Sequence, residues 1–179
     1  MKQKRAQHGR GGTKPASLRT SGHSKLKLEI SATAGGAAVP FLRRQLRRAH
    51  RLARSPVREL SVALVGKQRM SRLHRRYLGI SKPTDVLSFP LETNGRGRVV
   101  AGEIVVCAAE AKKQAIRRKI PVQRELLLYA LHGLLHLSGF DDRTVEGFWR
   151  MHRMEDMILS RLGIGATFNA GAGGGGRCS

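Results

Sequence analysis

The stretch Pro121–Asp142, PVQRELLLYALHGLLHLSGFDD, carries the strongest structural signal in the chain. Its leucines fall on nearly every side of a helix that begins at Pro121 and ends before Gly139, which is typical of a helix buried on most of its surface. A polar side chain on such a helix needs a partner, because burying it alone is unfavourable. His132 and His136 therefore require an explanation.

The two histidines are four residues apart, so their imidazoles project from one face of the helix and can converge on one ion. Gly139 can end the helix with a left-handed cap and turn the chain back, which brings Asp141 or Asp142 toward the histidines. Three such ligands leave one position of a tetrahedral zinc ion open, as in hydrolytic zinc sites. The alternative is a pair of core histidines bonded to the backbone, with Asp142 as an N-cap.

Outward from this helix, the hydrophobic pattern shifts repeatedly between strand-like and helix-like. Strands are predicted at 26–30, 59–65, 84–89 and 103–107, and helices at 40–53, 67–77, 108–119, 121–138 and 145–162. In the last helix, apolar residues at helical spacing predict core positions: Phe148, Met151, Met154 and Ile158. The elements interleave without a strict βαβ rhythm, so we expect an α+β fold with a mixed sheet of about four strands and about five helices.

The chain is strongly basic, with 34 Lys and Arg against 12 Asp and Glu and a formal net charge of +22. Residues 28–162 hold 25 basic and 12 acidic residues, so this part carries +13 by itself. Such a charge predicts RNA or DNA as the partner, and the alternative is that it only promotes solubility. Four arginines of the first helix could follow a phosphate backbone or form a solvated face: Arg44, Arg47, Arg48 and Arg51.

Composition also divides the chain and excludes several classes of protein. We predict a disordered basic arm at 1–25, a single metal-dependent hydrolase domain at 26–162 and a disordered Gly-rich tail at 163–179. The two cysteines, Cys107 and Cys178, argue against a disulfide framework and a thiolate zinc site. The sequence contains no apolar run of membrane-spanning length and no secretory signal pattern. We expect a cytoplasmic protein with no membrane partner and no nucleotide cofactor.

The segment 132–142, HGLLHLSGFDD, resembles the signature HGxLHLxGYDH of the YbeY family of rRNA-maturation endoribonucleases. Phe140 stands for the tyrosine, and Asp142 stands for the third histidine. Two further segments resemble the family's central strand and its GDI-type strand: KPTDVLSFP at 82–90 and GEIV at 102–105. The resemblance spans roughly residues 26–162 and implies one Zn²⁺ ion held by His132, His136 and Asp142. A carboxylate oxygen is an ordinary zinc ligand.

The resemblance also implies a function, namely a zinc-dependent endoribonuclease specific for single strands. Its role would be maturation of the 3′ end of small-subunit rRNA and ribosome quality control, with rRNA or the small ribosomal subunit as partner. We expect a zinc-bound water to act as nucleophile or base while basic side chains stabilise charge on the phosphate. Family members usually have Tyr-Arg where this chain has Tyr77-Leu78. Arg75 and Arg76 are candidates for the missing catalytic arginine, and no other catalytic residue is assigned.

Two other functions compete with this interpretation. Leu78 favours a non-catalytic zinc-containing factor that binds RNA and assists ribosome assembly. A metal hydrolase for a small substrate would fit the metal site but leave the positive charge unexplained. A His-Glu-x-x-His protease is disfavoured because Gly133 follows the first histidine, so the helix lacks the carboxylate base.

Overall fold

The computed structural model describes residues 25–165, so most of the predicted arm and of the predicted tail lies outside the described residues. The strands are β1 (Lys27–Ala32), β2 (Glu59–Val65), β3 (Val86–Thr93) and β4 (Val99–Cys107). The α-helices are α1 (Val39–Leu52), α2 (Lys67–Leu78), α3 (Ala108–Arg118), α4 (Val122–Leu137) and α5 (Val145–Arg161), and a short 3₁₀ turn (Gly36–Ala38) precedes α1.

The four strands form one mixed sheet in the order β1-β2-β4-β3. β1 and β4 run parallel to β2 on either side of it, and β3 pairs antiparallel with β4 at the edge. Five α-helices accompany the sheet within residues 25–165. The predicted α+β class with a mixed four-stranded sheet is therefore confirmed.

Alternating residues of the central strands place the helices on two faces of the sheet. Leu60, Val62 and Ile104 belong to the larger core cluster, which also contains the buried residues of α1, α4 and α5. Val65 and Val105 point the other way, into a smaller cluster with Met70 of α2. The sheet therefore lies between α4, which carries the histidines, and α2.

Helix α4 is the centre of the larger cluster. Five of its leucines are at most 1% exposed: Leu126, Leu127, Leu131, Leu134 and Leu135. At Gly133 the helix approaches the sheet so closely that an added Cβ would lie 2.8 Å from Ser88 Oγ and 2.9 Å from Ile104 Cγ2. Any side chain there would force Ser88, Ile104 or the helix itself to shift, so glycine permits this close approach. His132 is thus held at a fixed height above β3 and β4.

The edge of the sheet differs from the sequence-based prediction. β3 was expected to stop at Phe89, before Pro90, and β4 to begin at Glu103, but the strands extend to Thr93 and begin at Val99. Pro90 is tolerated because β3 is an edge strand with irregular register just after it, so the missing N–H interrupts little of the ladder. The resulting longer hairpin brings the turn at 94–98 toward the end of α4.

Two smaller findings concern the helices. Phe148 was expected in the core, but it is 36% exposed, because the first turns of α5 extend beyond the cluster that buries Met151 and Ile158. Among the helices within residues 25–165, none combines the length and the apolar character needed to cross a bilayer.

Candidate metal centre

The chain reverses sharply at the end of α4 and thereby returns to the histidines. Gly139 adopts φ +95°, in the left-handed region. Its N–H donates to the carbonyl of His136 at 3.0 Å, and the N–H of Phe140 donates to the carbonyl of Leu135 at 3.0 Å. This pair of bonds is the Schellman arrangement of a helix C-terminus. The predicted glycine cap is present, and the chain continues from it through the loop 140–144.

The other end of this loop is fixed by the first turn of α5. Thr144 is the N-cap, and its Oγ1 accepts a hydrogen bond from the N–H of Gly147 at 3.0 Å. An added Cβ on Gly147 would overlap the carbonyl oxygen of Asp141. The alternative in which Asp142 caps α5 is therefore wrong, and the Asp142 side chain is available for another role.

Three of the sequence-predicted site residues meet at this point. The Nε2 atoms of His132 and His136 are 3.0 Å apart. The Asp142 carboxylate lies with Oδ2 3.6 Å from the first Nε2 and Oδ1 3.8 Å from the second. Ligand atoms about 2.0–2.2 Å from a tetrahedral zinc ion are separated by about 3.3–3.6 Å. The three atoms thus already have nearly the spacing that one zinc ion requires, and each side chain is only partly buried.

The hydrogen bonds of the two imidazoles indicate that a positive charge belongs between them. His132 Nδ1 faces Glu155 Oε1 at 2.7 Å, and His136 Nδ1 faces the carbonyl of Phe140 at 3.1 Å. Both partners are acceptors, so each Nδ1 carries the proton and each Nε2 presents a lone pair. Two lone pairs at 3.0 Å repel each other unless a proton or a metal ion lies between them. A metal ion satisfies both and also uses the carboxylate, so the donor set fits zinc.

Two side chains of α5, Glu155 and His152, support His132 from behind. Glu155 is 2% exposed, and its Oε2 accepts a hydrogen bond from His152 Nδ1 at 2.6 Å while Oε1 accepts from His132. Burial lowers the pKa of His132, but the hydrogen bond to Glu155 and the negative charges of Glu155 and Asp142 outweigh it and raise that pKa. A carboxylate behind a ligating histidine fixes the tautomer and strengthens the ligand.

Glu155 and His152 were not predicted from the sequence. The signal that could have found them is the position of Glu155 between Met151 and Ile158, where an acid interrupts the buried stripe of α5. A buried carboxylate needs a cationic or donor partner, and the histidines of α4 were available.

The neighbouring Asp141 has a different role. Its carboxylate accepts bonds from Arg143 Nε at 2.9 Å and Nη2 at 2.8 Å. These hydrogen bonds lower the pKa of Asp141 to about 2. Of the two aspartates that could approach the histidines, Asp142 is the one grouped with them.

Two arginines share a cavity with one of the candidate ligands, His136. A cavity of about 440 Å³ is lined by His136 and the end of α4 together with Arg54 and Arg98. Arg54 is held there because the hydroxyl of the adjacent Ser55 accepts a bond from Ser138 Oγ at 2.7 Å. Arg98 belongs to the β3–β4 turn, which Asn94 organises by accepting from the N–H groups of 96 and 98. This pair was not predicted from the sequence, because the two arginines come from loops that are distant along the chain.

The arginines singled out from the sequence lie elsewhere. Arg75 and Arg76 are exposed at the end of α2, which packs on the sheet face opposite α4. Their catalytic role stays a prediction. In the arginine stripe of α1, Arg47 is half-buried and donates to the carbonyl of Leu26 at 2.7 Å, so it ties α1 to the start of β1. Three members of the stripe are exposed: Arg44, Arg48 and Arg51.

The profile of a protein family described as Endoribonuclease YbeY matches residues 35–163 of the chain. This match covers both histidines, Asp142 and all of α5. The chain belongs to the YbeY family. Endoribonuclease YbeY of Geobacillus thermodenitrificans is 38% identical over 115 residues, which are 59% of this chain and 74% of that protein. Endoribonuclease YbeY of Desulfitobacterium hafniense is 34% identical over 123 residues, 64% of this chain and 78% of that protein.

The fold comparison agrees with YbeY membership. The solution structure of a Thermotoga maritima protein matches with a TM-score of 0.52 and 26% identity, covering 75% of this chain and 91% of that one. The family indicated by the three motifs and the fold class predicted from the order of the elements are thus confirmed. An endoribonuclease is a hydrolase that acts on RNA phosphodiester bonds, so the predicted enzyme class is confirmed at the level of the YbeY family.

Proposed function

We propose that this chain is a zinc-dependent endoribonuclease that cleaves single-stranded RNA, with one Zn²⁺ ion held by His132, His136 and Asp142. The observation that carries the proposal is the geometry of the three ligand atoms, within 4.8 Å of one another beside a cavity lined by two arginines. YbeY membership supplies RNA as the substrate class. We further propose rRNA as the physiological substrate, with 3′-end maturation of the small subunit and ribosome quality control as the roles.

The metal ion, the arginines and Glu155 would have different roles in cleavage. Zinc, when bound, supplies a Lewis acid for a phosphoryl oxygen and lowers the pKa of an attacking water. Arg54 and Arg98, which line a cavity together with His136, would bind the phosphate and stabilise the negative charge that develops during cleavage. Glu155 holds the ring of His132 in the tautomer whose Nε2 faces the ion. We propose that these two arginines, rather than Arg75 and Arg76, serve the scissile region.

The remaining surface is suited to hold a polyanion. Residues 28–162 carry +13, which favours binding to RNA through release of counterions. Because the tails also carry basic residues, the whole chain contributes to this attraction. We propose that the protein acts in the cytoplasm on rRNA of the small subunit, as a hydrolase domain spanning 26–162.

The experiment is incubation of zinc-loaded protein with an end-labelled single-stranded RNA that spans the 3′ end of a small-subunit rRNA precursor. We expect cleavage by the wild type, loss of cleavage in His136→Ala and much slower cleavage of a duplex. Zinc content is measured on the same samples. Wild-type protein that holds no zinc, or a His136→Ala variant that cleaves as fast as wild type, would overturn the proposal.

One observation favours a second function, a non-catalytic zinc-containing factor for RNA binding and ribosome assembly. Leu78 is 59% exposed at the end of α2, at the position where the family usually carries an arginine. In the same assay, tight and salt-sensitive RNA binding without cleavage supports this second function. Restoring the arginine with Leu78→Arg then separates the two cases, since only a chain that lost catalysis at this residue gains cleavage.

A further inference from the structure

Two large aromatic side chains are exposed at the start of α5. Trp149 is 48% exposed and Phe148 is 36% exposed, and their rings meet edge to face with centroids 5.7 Å apart. The chain has only eight aromatic residues of the Phe, Trp and Tyr types. In so aromatic-poor a protein, two adjacent exposed rings on one helix turn form an unusual surface, which we call the α5 aromatic pair.

The α5 aromatic pair is connected to the candidate metal centre by ring contacts. Phe148 packs on His152 with centroids 4.3 Å apart, and His152 stacks beside His132 at 6.4 Å. The helix that exposes Trp149 is therefore the same helix that supports His132 through Glu155. Phe148 is thus two ring contacts away from His132, and an RNA strand bound at the candidate ligands would continue along this surface.

The charges around the α5 aromatic pair also favour a nucleic acid. Arg153 follows Trp149 by one helical turn and lies on the same face, and Arg150 is the next residue. Both arginines are exposed. Glu146, one turn earlier, is the acidic residue on the same side. Arginines next to an exposed aromatic ring are the combination that proteins use to bind single strands, the ring for the base and the guanidinium for the phosphate.

We propose that Trp149, with Phe148 behind it, stacks a nucleobase of single-stranded RNA next to the scissile phosphate. The proposal rests on the function proposed above, because it takes RNA as the substrate. It also gives a physical reason for preferring single strands. Bases within a duplex already stack on each other and cannot present a face to Trp149. Trp149 is thus a substrate-positioning residue that sets specificity.

The experiment uses the intrinsic fluorescence of the full-length, zinc-loaded protein, since Trp149 is its only tryptophan. The probes are a short oligoadenylate RNA and an oligomer with the same ribose-phosphate backbone but no bases. We expect the first to quench the fluorescence and the second to leave it nearly unchanged at equal occupancy, measured independently by anisotropy of a labelled end. Trp149→Ala should raise the Kd for oligoadenylate by about 5-fold to 150-fold, the range of base stacking on aromatic residues.

Further variants separate stacking from general effects. Trp149→Phe retains a ring and should bind within a few fold of wild type, whereas Trp149→Leu should resemble Trp149→Ala. The salt dependence should keep the same slope in Trp149→Ala, because no phosphate contact is lost. Ile116→Ala is the matched control, since Ile116 is 68% exposed on α3 and its loss should leave the Kd unchanged.

The outcomes of the two proposals are distinguishable. Zinc content and cleavage are measured in parallel on every variant. One outcome is that oligoadenylate quenches the wild-type fluorescence and Trp149→Ala binds it more weakly, but the wild type does not cleave RNA. This outcome would overturn the proposed nuclease activity and support the stacking site. Cleavage by wild type with equal Kd values for wild type and Trp149→Ala would overturn the stacking site, and it would leave the α5 aromatic pair for a protein partner.

Discussion

Replacing Glu155 with glutamine tests whether the carboxylate behind His132 supports metal binding. The carboxylate is 2% exposed and accepts hydrogen bonds from two imidazoles, at 2.7 Å from His132 and 2.6 Å from His152. Glutamine keeps the shape, but its amide removes the negative charge and can accept with one atom only. His132 then becomes a weaker and less firmly oriented ligand.

The expected magnitude follows from the role of such supporting groups. Loss of a carboxylate that holds a ligating histidine lowers metal affinity by about 10-fold to 100-fold. This corresponds to about 1.4–2.7 kcal/mol of zinc binding free energy. The Kd for zinc is measured by competition with a chromogenic chelator at neutral pH, for wild type and Glu155→Gln side by side.

Glu125→Gln provides a matched control on α4. Glu125 is also fully buried and lies 3.3 Å from Arg118, two turns before His132. Both variants should lose about 1–3 kcal/mol of unfolding free energy in urea, because each alters a buried polar contact. Only Glu155→Gln should weaken zinc binding. If it binds zinc as tightly as wild type, or if Glu125→Gln loses as much affinity, then positioning by Glu155 is refuted.

Three other predictions concern the loop, the third ligand and the phosphate contacts. Gly147→Ala should displace the loop that carries Asp142 and weaken zinc binding in chelator competition. Gly66→Ala is the control, since no atom lies within 4 Å of its added Cβ. Equal zinc affinities of the two variants would contradict a role of this loop in positioning Asp142. Asp142→His should raise the net charge of the zinc site from +1 to +2 and shift the pH–rate profile for RNA cleavage to lower pH; an unchanged profile would contradict it. Replacing both Arg54 and Arg98 by alanine should make the slope of log K against log salt concentration, measured for single-stranded RNA binding, shallower by about 1.4, about 0.7 for each lost phosphate contact. An unchanged slope would exclude phosphate contacts at these two arginines.

Helix α4 and the histidine pair were predictable from the sequence, because both signals are local. The leucine pattern fixes a buried helix, and a four-residue spacing places two imidazoles on one face whatever surrounds them. Gly139 likewise predicted the reversal of the chain, because glycine tolerates the positive φ that such a turn requires.

The features that were missed depend on tertiary contacts. Glu155 meets His132 across 23 residues, and Arg54 meets the end of α4 through a serine pair 83 residues apart. No periodicity encodes such distances. The predicted end of β3 before Pro90 was wrong for the same reason. Only the position of β3 at the edge of the sheet makes a proline acceptable within the strand.

Helix α4 is the most buried helix within residues 25–165, and it carries two candidate ligands. Lifting it from the sheet would open the core and separate the candidate ligands in a single event, so zinc bound as proposed would act as a thermodynamic clamp on the native state. At a free concentration one hundred times its Kd, such a ligand adds about 2.7 kcal/mol to stability. That is a large share of the about 5–15 kcal/mol that keeps an ordinary domain folded. The zinc supply of the cell would then govern the lifetime of this protein as well as its rate.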